Sequence, residues 1–165
     1  MAPRARITPF LWFDNQAEQA AKYYVKIFRN SRIRKVARYG EAGREQHGRP
    51  PGSVMIVEFE LDGCPFTALN GGPHFKFNEA VSLVVHCKDQ KEVDYYWKKL
   101  GAGGDPAAQV CGWLKDKFGL SWQIVPDAAT KLLGDHRSPK SQRAFAVMMQ
   151  QKKPDIAAMQ RAYDG

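Results

Sequence analysis

Apolar and polar positions along this chain fall into two long patterns that each read as strand, then helix. In "ITPFLWFDNQAEQAAKYYVKIF", residues 7–13 form a continuous apolar, β-prone run. Ala17, Ala20, Ala21, Tyr24, Ile27 and Phe28 then recur at helical spacing. Asn15 is the expected N-cap, with Glu18 three residues on as its capping-box partner. In "AVSLVVHCKDQKEVDYYWKKL", residues 80–87 are again β-prone, and Asp89 with Glu92 repeats the capping box. Val93, Tyr96, Trp97 and Leu100 supply the second helical face. The pair Tyr23-Tyr24 recurs as Tyr95-Tyr96, and Phe28 answers Leu100, which points to an internal duplication.

The segments C-terminal to the two helices extend the match. After the first come β-prone runs at 31–39 and 53–61, a hairpin signal at Asp62-Gly63, and a run at 64–70. After the second come a Gly/Asp/Pro turn at 103–106, short runs at 107–110 and 112–115, a turn near 117–119, and a run at 120–125. Each half therefore reads β-α-β-β-β. Residues 40–52, "GEAGREQHGRPPG", are expected to be a mobile hairpin loop. Beyond Pro126 the chain has three helical stretches, with Pro139 and Pro154 near helix starts. Phe145, Met148 and Met149 give one of them an apolar face, expected to pack on the body or on a sister subunit.

Length and composition change this picture little. The 165 residues suit one domain, or two small modules sharing a core, and 44% hydrophobic content can fill it. No run of eighteen apolar residues exists, so no membrane span is expected. "MAPRARITPF" lacks the apolar stretch of a secretory signal. Cys64, Cys87 and Cys111 are odd in number and form no CxxC pair, which suits buried thiols in a reducing cytoplasm. The net charge of +8 is concentrated in residues 1–49, which hold eleven Lys/Arg against four Asp/Glu. Arg32, Arg34 and Arg38 are expected on one side of a strand. No aromatic residues alternate with them as stacking platforms, and no helix-turn-helix or finger pattern accompanies them, which argues against nucleic acid as partner.

The stretch "FTALNGGPHFKF" reads as a candidate site. Its glycines supply positive φ and Pro73 stiffens the exit, so it links the halves. Asn70 can also present an amide to a ligand, His74 an imidazole, and Phe75 and Phe77 an aromatic lid. No partner or pKa-shifting neighbour for His74 is visible, so no general base is assigned. Strand parity puts Thr8, Phe10 and Trp12 on one side, Thr67 and Leu69 on one side of the next, then Ser82 with Val84 and Ser121 with Gln123. With Trp113 these residues describe an aromatic, mildly polar wall suited to a small aromatic or amphipathic molecule.

The tandem β-α-β-β-β halves resemble the vicinal oxygen chelate fold of the glyoxalase/bleomycin-resistance superfamily. More closely, "ITPFLWFDNQAEQAAKYY", "VEFELDGCPFTALNGGPHFKFNEA", "GWLKDKFGLSWQIVP" and "DIAAMQRAYDG" are similar to the PhnB-like family, also labelled 3-demethylubiquinone-9 3-methyltransferase domain. The resemblance implies an α+β fold: two βαβββ modules, about 5–70 and 78–126, forming a cupped mixed sheet, with a helical extension over 127–165. It also implies a homodimer and a small-molecule ligand held in the cup. Carried over onto this sequence, the four ligand positions of metal-using members fall at Thr8, Thr67, Ser82 and Gln123. None is a strong ligand for zinc, nickel or iron, so no metal and no other cofactor is expected. The first strand also ends in "WFDNQAE", without the glycine-rich turn that S-adenosylmethionine enzymes of doubly wound fold use. The expected function is therefore binding of a small organic molecule, with no catalytic residue assigned. A ligand-sequestering protein of the bleomycin-resistance kind is the alternative; methyl transfer and a nucleic-acid accessory role rank below it.

Overall fold

A computed structural model describes residues 6–165, so the first residues of the expected module one lie outside the described residues. The chain divides into two compact units, one ending at Lys76 and one beginning at Phe77.

The first unit contains β1 (Phe10–Phe13), α1 (Ala17–Ile27), β2 (Arg32–Arg38), the short α2 (Arg44–His47), β3 (Val54–Leu61) and β4 (Cys64–Asn70). Its sheet runs β1-β4-β3-β2, with β1 parallel to β4 and the other pairs antiparallel. Alternation decides which face is covered. Leu11, Phe13, Val57, Phe59, Phe66 and Ala68 are buried, with Ala17, Ala20, Ala21 and Tyr24 of α1 buried alongside them. Phe59 stacks between Tyr24 and Phe66, at 6.4 and 5.5 Å between ring centroids. Phe10, Trp12, Thr67 and Leu69 fall on the opposite, open face.

Two expectations are corrected in this unit. The N-cap of α1 is Gln16 rather than Asn15, and no side chain of its own segment caps it. Arg32, Arg34 and Arg38 do not simply share one side of β2, and within the loop 40–52 the short α2 forms between two left-handed glycines, Gly43 and Gly48. His47 of α2 packs on Tyr39, with ring centroids 4.5 Å apart. The basic strand β2 is bulged between Ile33 and Lys35 and again at Ala37 and Arg38, so simple parity does not carry along it. Arg32 and Arg34 both reach Glu60, at 3.2 and 2.5 Å. Arg38 instead donates to the Gly52 carbonyl.

The second unit contains β5 (Leu83–Cys87), α3 (Gln90–Gly101), β6 (Trp113–Lys115), β7 (Ser121–Pro126), α4 (Asp127–Leu133), α5 (Pro139–Met149) and α6 (Ile156–Asp164). Its sheet has three strands, β5-β7-β6, with β5 parallel to β7. The expected strand at 107–110 is absent. Asp105 caps a single 3-10 turn at Pro106–Ala108, where the proline ring favours a turn start, and only Val110 bridges to Trp113. Asp89 caps α3 as expected, accepting from the Glu92 N–H, while the Glu92 carboxylate accepts from the N–H of Lys88, one residue before the cap, in place of the Asp89 N–H of a capping box. Val85, Cys87, Leu114, Trp122 and Ile124 are buried on the face that carries Val93 and Leu100 of α3.

The β6–β7 turn is built around buried Asp116. One carboxylate oxygen accepts from the Phe118 and Leu120 N–H groups, and the other from the Trp122 indole at 2.8 Å. The C-terminal helices pack around Leu132, Ala144 and Met159. The buried stripe of α5 is thus Ser141 and Ala144; Phe145 and Met149, expected to pack on the body or on a sister subunit, are about half exposed in the single chain. The extension is stitched to the sheet through main-chain bonds from Cys111 N–H to Gln151 and from Gly112 N–H to Lys152. Gln90 adds bonds to Pro154 and Ile156.

Candidate functional site

In the first unit the fold brings most of the expected wall residues together. Phe10 pairs with Thr67 and Trp12 with Leu69 across β1 and β4, and all four share the open face. Phe10 is 56% exposed although strongly apolar. Thr8 precedes β1 and lies outside the ladder. The segment after β4 wraps Trp12: its indole Nε1–H donates to the Gly72 carbonyl at 2.8 Å, and Phe75 meets it edge-on at 4.9 Å. Gly71 is needed for this approach, because a Cβ there would lie 2.2 Å from the indole. His74 is exposed beside Gly72, and Arg49 reaches Asp14 at the end of β1.

Asn70 takes a different position from the one expected. It faces α1, and both ends of its amide are engaged by the backbone. Oδ1 accepts from the Ala17 N–H at 2.8 Å, and Nδ2 donates to the Val54 carbonyl at 3.0 Å. Its parity with Phe66 and Ala68 on the buried face was the signal.

In the second unit, Val84, Gln123 and Trp113 stand side by side on the open face of three adjacent strands. Gln123 Nε2 donates to Ser82 Oγ at 2.8 Å. Ser121, two residues from Gln123, lines a pocket of about 530 Å³ with Trp113, Lys115, Glu79, Val110 and Met149. A second cavity, about 600 Å³, shares Cys111, Trp113 and Met149 with the first and is also lined by Gln123, Leu133 and Met148.

The pocket at Ser121 has an unusual polar inventory. Ser121 is 1% exposed, and its Oγ has no hydrogen-bond partner among the described residues. A buried hydroxyl left unpaired is costly, so such a group calls for an explanation. Lys115, its direct cross-strand partner, makes an ion pair with Glu79. The hydrogen bond from Lys115 holds the Glu79 carboxyl below the usual carboxylate range. Lys115 and Glu79 were not anticipated from the sequence. For Lys115 the signal existed, since it comes two residues after Trp113 in one strand; for Glu79, on an irregular arm, there was none.

The positions carried over from metal-using proteins do not suit a cation. Thr8, Thr67, Ser82 and Gln123 offer hydroxyls and an amide, and the Gln123 amide nitrogen is spent on Ser82. No group of three or more His, Cys, Asp or Glu that could hold a metal occurs among the described residues. S-adenosylmethionine fits no better. The amides of Gly71 and Gly72, which would have to approach it, donate to Phe13 and Asp14, and no helix comes after them in their unit. Cys87 is fully buried, and burial pushes its thiol up to about 12, so it is no nucleophile.

A helix laid on one face of a small mixed sheet, given twice in one chain, defines a protein of the vicinal oxygen chelate class. Residues 5–125 match the 3-demethylubiquinone-9 3-methyltransferase family, and the chain belongs to that family, in its PhnB-like branch. The PhnB protein from Bacillus cereus is 33% identical, over 74% of this chain and 99% of that one, with a TM-score of 0.63. A protein from Staphylococcus aureus is 31% identical over 76% of this chain and 99% of its own, with a TM-score of 0.34. A Pseudomonas aeruginosa protein shares the fold at 16% identity, over 75% of this chain and all of its own, with a TM-score of 0.55. No curated protein matches the chain.

Proposed function

We propose that this protein binds a small, largely apolar organic molecule on the open face of its second sheet, in the pocket lined by Trp113 and Ser121. The unpaired Ser121 Oγ carries the reading: it is a hydroxyl buried in an apolar pocket large enough for a ligand that would complete its hydrogen bonding. The open face of the first sheet, with Phe10 and Trp12 beside Thr67 and Leu69, is a second partly exposed apolar surface, within its own unit. The ligand is held without a metal, because the candidate donors are neutral and partly paired with each other. The protein is a homodimer, as the family resemblance implies, and it works in the cytoplasm. Sequestering of the ligand and its chemical turnover share this site and differ in whether product appears.

Ser121→Ala tests the reading, because it separates a binding hydroxyl from a structural one. The variant is expected to be at least as stable as the parent in a urea titration, since it deletes an unpaired buried group. It is also expected to lose about 0.5–1.5 kcal/mol of affinity for a naphthalene-sized probe bearing one hydroxyl. A destabilised Ser121→Ala variant that binds the probe unchanged would end the reading. Light scattering of the parent at micromolar concentration tests the homodimer, and a monomer there counts against it.

A further inference from the structure

Lys115 and Ser121 are register partners on adjacent antiparallel strands, so their side chains leave the sheet together into the same pocket. The Lys115 side chain is only 25% exposed, and its ion-pair partner among the described residues is Glu79. Glu79 comes from the arm between Phe77 and Leu83, which has no regular structure, and its own side chain is 63% exposed. The cation is therefore fixed in a strand and turned to the pocket, whereas the anion that neutralises it comes from an irregular arm, held by Lys115 and by a backbone hydrogen bond of its own, and is open to water. An ion pair with one partner so exposed gains little from its contact, because water screens it. Around these two charges the pocket wall is Val110, Cys111, Trp113, Ala108 and Met149.

We propose that the ligand of this pocket is an amphipathic organic acid. Its anionic group replaces the Glu79 carboxylate on Lys115 Nζ and accepts a hydrogen bond from Ser121 Oγ, while its apolar body lies against Trp113 and Met149. The inference rests on the pocket reading above and deepens it to a substrate class. It accounts for two observations at once. The buried Ser121 hydroxyl gains an acceptor, and the half-buried ammonium keeps a counter-charge in both the empty and filled states. Glu79 then acts as a stand-in for the ligand's acid group. It leaves to solvent when the ligand enters, so the ammonium is never left unpaired in the pocket.

The test compares an acid with its neutral counterpart, 2-naphthoate against 2-naphthylmethanol, by titration calorimetry on the full chain at low salt. The acid is expected to bind about tenfold tighter than the alcohol. Glu79→Gln, a change at an exposed side chain, should tighten naphthoate several-fold because the competing carboxylate is gone. Lys115→Gln should remove the preference by weakening naphthoate about tenfold, and Lys115→Arg should restore most of it. Protection of Cys111 from a thiol reagent by either probe, in a Cys64→Ser background, together with the Lys115 dependence of naphthoate binding, reports that binding is in this pocket, because Cys111 lines both cavities and Lys115 only this one. Equal binding of acid and alcohol, or a Glu79→Gln variant that binds naphthoate more weakly, overturns the proposal and leaves the pocket. Failure of both probes to bind overturns the pocket reading with it.

Discussion

Asn70 caps a helix that begins 53 residues earlier: its side-chain oxygen accepts the first free N–H of α1, at Ala17. The helix start is thus satisfied by tertiary structure rather than by its own segment. Asn70 also holds Val54 through its amide nitrogen, and its main-chain carbonyl accepts from the Tyr39 hydroxyl at 2.7 Å. One residue ties α1, β3 and Tyr39, just past β2, to the end of β4.

Replacing Asn70 should therefore cost more than an ordinary cap. Asn70→Ala removes the partner of the buried Ala17 N–H and of the part-buried Val54 carbonyl and should destabilise the fold by about 2–4 kcal/mol. Asn15→Ala, at the position that reads as the cap in the sequence, should stay within about 0.5 kcal/mol. Urea denaturation of both variants checks this, and comparable losses would contradict the assignment.

Gly71→Ala should disturb Trp12. The new methyl group would lie 2.2 Å from the indole, so either the 71–75 segment or the ring must move. The expected loss is about 1–3 kcal/mol, with a changed near-ultraviolet circular dichroism signal. The wild-type spectrum in a fully stable variant would show that Trp12 is not held as described.

Cys87 gives a prediction on pH. Burial is the main cause that raises its thiol to about 12, with the negative charges of Glu92, Asp127 and Asp89 adding to it. The folded state therefore keeps the proton that the unfolded state releases above its ordinary value near 9. This contribution is fully present below pH 9 and is lost as pH rises toward 12. Parent and Cys87→Ala should show parallel stability–pH curves up to about pH 9 and diverge above it, the parent falling faster. At pH 8 a thiol reagent should label exposed Cys64 and spare Cys87 in the native protein. Rapid native labelling of Cys87 would refute its burial.

The sequence disclosed the parts of this fold that depend on short-range pattern. Parity along β1 put Phe10 and Trp12 on the open face, and the capping box at Asp89 and Glu92 marked α3. Residues whose role depends on a distant partner were not legible. Asn70 reads as a loop amide until α1 is seen to begin against it. Ser121 reads as one polar position among several until its neighbours are found to offer it nothing. The failed strand at 107–110 has a local cause, Pro106, yet the duplication suggested a strand there because the first half has one. The basic residues of β2 show the limit of alternation, since two bulges shift their register and Glu60 gathers two of them.

The main-chain bonds from Cys111 and Gly112 to Gln151 and Lys152 set Met149 into the wall of the Ser121 pocket. Met149 alone of the residues lining that pocket comes from outside the stretch, 5–125, that matches the family. The strands that frame the pocket thus lie within the matched stretch, while part of its shape is set by the C-terminal extension. Ligand preference can then diverge between relatives by exchanging a tail, with every strand of the sheet left as it was.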